Sequence, residues 1–530
     1  MNRLPRLLPA AITLLVFSSC ATKEKNNTRA AADTLTETQQ HLAENALKGL
    51  KVFEGLTVAT FATEPMLKNP TNIDVDERGR VWVTEAYNYR PAINGNPTNP
   101  AGDRIMILED TNGDGRADTA KVFYQGPEIN APLGICVLGH KVIISQSPYV
   151  WVFYDDNGDD KADRKEILFQ GISGEQHDHG VHAFTFGPDG KLYFNFGNAG
   201  MQLRDKNNKP VLDQDGEVIS QKKYKQGLVF RCNPDGSQVD CLAQNFRNPY
   251  EVAVDSYGTL WQSDNDDDGN RGVRINYVME YGNYGYTDEM TGASWQANRT
   301  NIEDSIPYRH WHLNDPGVVP NLLQTGAGSP TGILVYEGDL LPREFRGQLI
   351  HSDAGPNVVR SYAVSKKGAG YTATINNILE GERDKWFRPA DVCIAPDGSL
   401  IVADWYDPGV GGHQAGDQTR GRIYRVAPPN IAYTIPVENY ATPEGVIKAL
   451  ENPNLSVRYH AFTALQAFGS AAIPALEKLW KDSSANPRLC ARAFWVLVKM
   501  KNANATQYID QAIHSDNPDL RILGIRAARE

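Results

Sequence analysis

Between about residues 69 and 405 one pattern occurs six times: a short apolar stretch follows a Pro, His or small residue, a turn intervenes, and a second strand-like run begins. The copies are NPTNIDVDERGRVWVTE, APLGICVLGHKVIISQ, HAFTFGPDGKLYFNF, NPYEVAVDSYGTLWQSD, SPTGILVYEGDLLPREFRGQLIHSD and RPADVCIAPDGSLIVAD. Their second runs begin at Arg80, Lys141, Lys191, Thr259, Gln348 and Ser399, and most copies are followed by further strand-length runs such as RIMILED with AKVFYQG. Segments of this kind, bounded by turn residues and repeated every 50 to 90 residues or so, roughly describe four-stranded propeller blades with loop insertions. The 46 glycines and 31 prolines supply the turns. The chain is therefore expected to be mostly β, with a six-bladed β-propeller over residues 46–430.

A second period follows. NPNLSVRYHAFTAL (452–465), NPRLCARAFWVL (486–497) and NPDLRILGIRAA (517–528) repeat at 34 and then 31 residues. Pro453, Pro487 and Pro518 each sit where a helix can start, and Leu455, Ala461 and Leu465 recur at helical spacing. Residues 438–530 are read as a small α-helical HEAT-repeat solenoid, whose units bury a core only by stacking. The sequence ends at Glu530 inside the third repeat, so a truncated stack is expected.

The N-terminus has the features of a targeting segment. Arg3 and Arg6 precede the mostly apolar run Leu7 to Phe17, which leads into Phe-Ser-Ser-Cys. Cys20 after two small residues resembles the lipobox of bacterial lipoproteins; an ordinary signal peptide containing a Cys is the other reading. The expectation is a signal peptide over 1–20, lipidation at Cys20, a flexible tether over 21–45, and anchoring to the outer membrane, facing the periplasm or the cell surface. Five cysteines remain, an odd number, and Cys232 and Cys241 flank a turn across which they either pair or stay free. With 53 basic and 64 acidic residues the net charge is −11, which argues against a nucleic-acid partner.

Propeller topology says where chemistry would gather. The segment entering each inner strand and the one leaving each second strand share a face, at the mouth of the central channel. His179, the Arg247–Asn248 pair and Arg388 enter inner strands; Glu85, Gln146, Asp264, Asp353 and Asp404 end second strands. A small polar ligand is expected there. The carboxylates read equally well as solvated loop ends. Away from the mouth, DTNGDGRAD (Asp110, Asn112, Asp114, Asp118) and DDNGDDKAD (Asp155, Asn157, Asp159, Asp163) place side-chain oxygens at relative positions one, three, five and nine. Such spacing suits a structural calcium ion, and Asx-rich tight turns favour the same residues.

HDHGVHAFTFGPDGKLYF (177–194) resembles the catalytic-histidine segment of the soluble PQQ-dependent glucose and sorbosone dehydrogenases. Counted back from Gly-Pro-Asp-Gly, the resemblance places His179 on the family's base and Asp178 on its acidic neighbour. RNPYEVAVDSYGTLWQSDNDDDGN (247–270) is similar to the same family, with Arg247 and Asn248 on cofactor-contacting positions. Asp266 and Asp267 fall where main-chain carbonyls hold a channel calcium. FRPADVCIAPDGSL (387–400) puts Arg388 on a quinone-binding arginine. TEAYNYR and the ADWYDP…GRIYRV end look closer still to large membrane-bound dehydrogenase chains of planctomycetes, verrucomicrobia and bacteroidetes, which carry HEAT repeats and often a cytochrome c domain. There are departures: Gly355 stands at the family's quinone-binding lysine and Ala390 at a second arginine, removing two positive charges. No C-x-x-C-H occurs, so no haem is assigned to this chain.

The resemblance implies a PQQ- and calcium-dependent sugar or alcohol dehydrogenase of the cell envelope, acting on a small sugar or polyol and passing electrons to a cytochrome c. His179 would take a hydroxyl proton with an ordinary pKa near about 6.5, and Asp178 would orient it. Two alternatives stand beside it: a non-catalytic glycan- or protein-binding propeller, and a lactonase-like calcium-dependent hydrolase with Glu85, Asp264 and Asp404 ringing the metal.

Overall fold

The computed structural model describes residues 35–266, 270–297, 303–482, 485–501 and 503–530. The expected six-bladed propeller and the helical stack behind it are both present. The six inner strands are Pro70–Val75, Gly134–Leu138, Val181–Phe186, Val252–Val254, Pro330–Val335 and Pro389–Ile394. Each pairs antiparallel with a second strand: Val81–Glu85, Lys141–Gln146, Leu192–Phe196, Leu260–Asp264, Leu349–Asp353 and Leu400–Asp404. Nearly every residue of these second strands is buried, because packed blades cover both faces.

The ring closes through a strand that the repeat does not announce. Thr57–Ala62, near the N-terminus, is the outermost strand of blade six and pairs with Arg422–Ala427. Lys51–Val52 adds to the outer edge of blade five. The docked chain begins earlier than the expected end of the tether. His41 stacks on Trp386 with ring centroids 3.9 Å apart, and its backbone carbonyl accepts from Arg422 Nη2 at 2.8 Å. Cys20 and most of the tether lie outside the described residues.

Behind the propeller six helices stack, from Pro443–Leu450 to Pro518–Arg529. Asn486 and Asn517 cap helices that start at Pro487 and Pro518; in the first repeat the cap is Asn454, and the helix starts two residues after Pro453. The Asn454 amide donates to the carbonyls of Val75 (2.7 Å) and Ile394 (2.8 Å), the floor ends of two inner strands. The helix Leu455–Phe468 thereby lies across the floor of the channel, opposite the mouth. Glu337 fastens the two parts. Its side chain is buried and accepts from Arg458 (2.9 Å), Arg492 (3.1 Å) and Arg488, all on the helical stack.

Candidate functional site

The carboxylates expected to ring the mouth turn inward. In five blades the last residue of the second strand accepts a backbone N–H from the segment entering the inner strand. Glu85 takes Lys68 N–H at 2.8 Å, Gln146 takes Asn130 N–H at 2.6 Å, and Asp264 takes Asn248 N–H at 2.8 Å. Asp353 takes Ser329 N–H at 2.8 Å and Asp404 takes Arg388 N–H at 2.7 Å. Burial pushes Asp353 to about 6 and Asp404 to about 7, and raises Asp264 against the pull of Arg274. These groups are latches of the fold, and Asp353 and Asp404 each keep one buried carboxylate oxygen without a partner. They satisfy the N–H groups of turning backbone that would otherwise be orphaned.

Blade three is the exception. Its second strand ends in Phe196, which offers no acceptor, and the segment His177–His179 enters without that latch. The loop leaving Phe196 holds it instead. Gly197 N–H reaches Gly180 O at 3.0 Å, and His179 Nδ1–H donates to Asn198 Oδ1 at 2.6 Å. A Cβ on Gly197 would lie 2.7 Å from both Asn248 Oδ1 and His179 O, so this close approach requires glycine. Asn198 fixes the tautomer, so the lone pair of this largely buried ring, 12% exposed, is on Nε2.

Two expectations about His179 are corrected. Its pKa is not near the ordinary value: burial and the Arg247 charge lower it to about 4, so it is neutral at neutral pH. Nor does Asp178 orient it. Asp178 Oδ1 lies 4.0 Å from His179 Nε2 and is paired with Arg90 Nη1 at 2.8 Å. Burial opposes ionisation of Asp178, but His177, His179 and Arg90 hold it well below the usual carboxylate range. His177, Asp178 and His179 are the one group among the described residues whose ligand atoms gather closely enough for a metal ion. Arg90 already occupies the carboxylate oxygen they share, and Arg247 adds a second positive charge beside His179.

A cavity of about 100 Å³ opens at this mouth. Tyr89, Tyr250 and Trp405 provide its aromatic walls, and Asp178, His182, Asn248, Asn265 and Arg388 its polar ones. Asn248 and Asn265 each keep a buried Oδ1 without a partner. Sequence reasoning missed Asn198, Arg90 and His182. The first was legible as the polar residue just past the blade-three second strand; His182 lies on the blade-three inner strand three residues past His179, and Arg90 is brought to the site by a loop of blade one.

The tricarboxylate quinone implied by the resemblance finds a poor cradle here. Arg388 spends its guanidinium on main-chain carbonyls: Asp407 O (3.1 Å), Ala354 O (3.0 Å) and Pro408 O (2.9 Å). A Cβ on Gly355 would lie 2.7 Å from Gly328 C and Ser329 N, so a lysine there is blocked by backbone. Ala390 lines the cavity without charge. The residues present do not fit a ligand with three carboxylates. Asp266 Oδ2 accepts Gly272 N–H at 2.6 Å, and Asp267 lies outside the described residues.

The two acidic loops are hairpin turns away from the mouth. Asp110 Oδ1 accepts Gly113 N–H and Asp155 Oδ1 accepts Gly158 N–H, each at 2.7 Å; Asp118 and Asp163 accept the N–H groups of Asn112 and Asn157. Asn112 Oδ1 and Asn157 Oδ1 take the N–H groups of Asp114 and Asp159, both at 2.9 Å. Backbone donors thus already engage these oxygens, the signature of Asx turns. Cys232 and Cys241 are buried and unpaired.

The model of the family described as a domain of unknown function, DUF7133, matches residues 42–430. The chain belongs to the DUF7133 family. Its HEAT repeats are matched separately over residues 443–529. No curated relative matches the chain. Among solved structures this DUF7133 chain is similar to the PQQ-bound aldose sugar dehydrogenase of Streptomyces coelicolor, at 20% identity over 71% of this chain and 100% of that one, TM-score 0.46. It is also similar to the PQQ domain of pyranose dehydrogenase from Coprinopsis cinerea, at 16% identity over 71% and 97%, TM-score 0.47. A calcium structure of a Trichoderma reesei family AA12 carbohydrate-active enzyme matches at 15% identity over 72% and 97%, TM-score 0.48.

Proposed function

We propose that this chain binds a small sugar or polyol at the propeller mouth and that His179 accepts a proton from one of its hydroxyls while the hydrogen on the same carbon leaves as hydride to a separate two-electron acceptor of the quinone class, a sugar or alcohol dehydrogenation in the bacterial envelope. The observation that carries this reading is the His179–Asn198 hydrogen bond in the one unlatched blade. It leaves a neutral imidazole with its lone pair presented beside a cavity. Aromatic faces pack against the apolar side of a sugar ring, and the unpartnered Asn248 and Asn265 oxygens accept its hydroxyls. Proton acceptance needs Nε2 within hydrogen-bond reach of the reacting hydroxyl, and Asp178, the residue before His179, lines the cavity. Lipidation at Cys20 would place the protein on the membrane. Because the cradle does not fit a tricarboxylate quinone, no step is assigned to PQQ.

A second reading, glycan binding without turnover, is favoured by the spent guanidinium of Arg388 and the blocked position at Gly355. Dye-linked oxidation across a panel of aldoses and polyols, with and without added PQQ and calcium, separates the two. Turnover that vanishes in His179→Ala supports the dehydrogenase. Binding with no turnover under any addition rejects it and leaves the glycan-binding reading.

A further inference from the structure

A second cleft, of about 180 Å³, opens where blades four and five meet the helical stack. Tyr257 and Trp261 lie at the start of the blade-four second strand, whose other end is the mouth residue Asp264, so the cleft belongs to the floor end of the propeller. Gln348 and Tyr371 complete the propeller wall, the latter from the long outer hairpin of blade five, Val358–Lys367 with Gly370–Glu380. Arg488 and Asp519 close it from the helices. Two ion pairs hold the walls together: Arg488 Nη1 with Glu337 Oε1, and Lys366 Nζ with Asp519 Oδ1 at 2.5 Å.

The fold leaves hydrogen-bond donors unused in this cleft. Trp261 is 5% exposed, and its indole N–H, which can only donate, has no acceptor. Gln348 Oε1 accepts Val364 N–H at 2.7 Å, and its amide nitrogen is left without a partner. A donor taken out of water is costly unless something accepts from it. Tyr371 is half-buried and braced by the rings of Trp261 (5.0 Å between centroids) and Tyr277 (4.9 Å), which fixes an aromatic wall beside those donors. The ionisable lining groups are spent on one another: Lys366 on Asp519, and Arg488 on Glu337 and, at 3.6 Å, on Asp255. A charged ligand finds no free partner here. A neutral sugar offers hydroxyl oxygens to the Trp261 and Gln348 donors and an apolar ring face to Tyr371. We infer that this cleft binds a neutral sugar unit of a polysaccharide, holding a glycan chain at the end of the propeller opposite His179. This site is independent of the mouth.

Calorimetric titration of the unmodified protein with neutral hexasaccharides of glucose, mannose and xylose tests it, alongside the nitrogen-15 signal of the Trp261 indole. At least one hexasaccharide should bind and shift that signal. Its affinity should fall about tenfold or more in Trp261→Phe, which keeps an aromatic ring but removes the N–H, and likewise in Tyr371→Ala. Tyr371 stands on an outer hairpin, so its variant reads the site even if Trp261→Phe fails to fold. Binding by none of the three overturns the inference and leaves the mouth reading standing. Binding that leaves the Trp261 signal unmoved and survives Tyr371→Ala overturns it as well, because the sugar then sits elsewhere.

Discussion

His179 donates from Nδ1 to Asn198 Oδ1 at 2.6 Å, and this bond sets the direction of the ring while burial and the Arg247 charge keep it neutral. An amide orients an imidazole without stabilising its protonated form as a carboxylate would. Replacing Asn198 by Asp should therefore raise the His179 pKa from about 4 by about 1–3 units. Titration of the His179 ring signals by NMR checks this; an unchanged midpoint would mean that Asn198 does not face the ring.

The latches predict a contrast between blades. Asp264 holds the backbone of Arg247 and of the cavity-lining Asn248, whereas Glu85 holds Lys68, which does not line the cavity. Each is buried against an arginine, Arg274 and Arg104 respectively, and losing one partner of such a pair costs about 3–5 kcal/mol. Asp264→Ala and Glu85→Ala should both lower the melting temperature. Ligand affinity at temperatures where the protein stays folded should fall only in Asp264→Ala. Equal loss of affinity in both would show that the latches act on the ring as a whole.

Glu337 is the joint between propeller and helices. Burial opposes its charge, yet Arg488, Arg458 and Arg492 hold its pKa well below the ordinary value. Glu337→Ala leaves three guanidinium groups facing one another and should cost about 3–5 kcal/mol. Limited proteolysis should then cut near residue 440, ahead of the first helix of the stack. Resistance equal to the parent protein would contradict the joint.

Stability should fall as pH rises from about 4 toward 8. Burial raises Asp74, Asp103, Asp391 and Asp404 to about 7 each, so between their unfolded and folded values the native state binds more protons than the unfolded chain. Their contribution is present at the acidic end and lost through pH 7. His179 and His182, each lowered to about 4, and His351, lowered to about 3, work in the opposite sense between those values and about 6.5. The four acids outnumber them and extend to higher pH. Melting temperatures at matched ionic strength measure the balance; a curve that rises steadily from pH 4 to 8 would contradict it.

Much of the architecture was legible because each blade repeats the same two-strand signal, and the observed second strands begin within one residue of the expected positions. The helical stack was legible from its Asn-Pro starts. The closing strand Thr57–Ala62 was not, since it pairs across more than 350 residues and resembles no other copy. At the site, the sequence placed His179 at the entry to the blade-three inner strand. Its hydrogen-bond partner Asn198 was not foreseen, nor was the inward turn of the mouth acids, because whether a carboxylate at a strand end faces solvent or its own backbone depends on the turn geometry that follows. Arg388 was placed correctly on the cavity wall, but the carbonyls that consume its donors come from two other loops.

The central claim is that the mouth cavity holds a sugar or polyol against His179. Its most direct test is calorimetric titration of the purified protein with a panel of neutral and acidic sugars and polyols, repeated in Asn248→Ala and His179→Ala. The account predicts saturable binding by at least one class, weakened about tenfold or more in Asn248→Ala, which removes an unpartnered buried acceptor. No heat from any sugar or polyol, or binding unaffected by both substitutions, would contradict it.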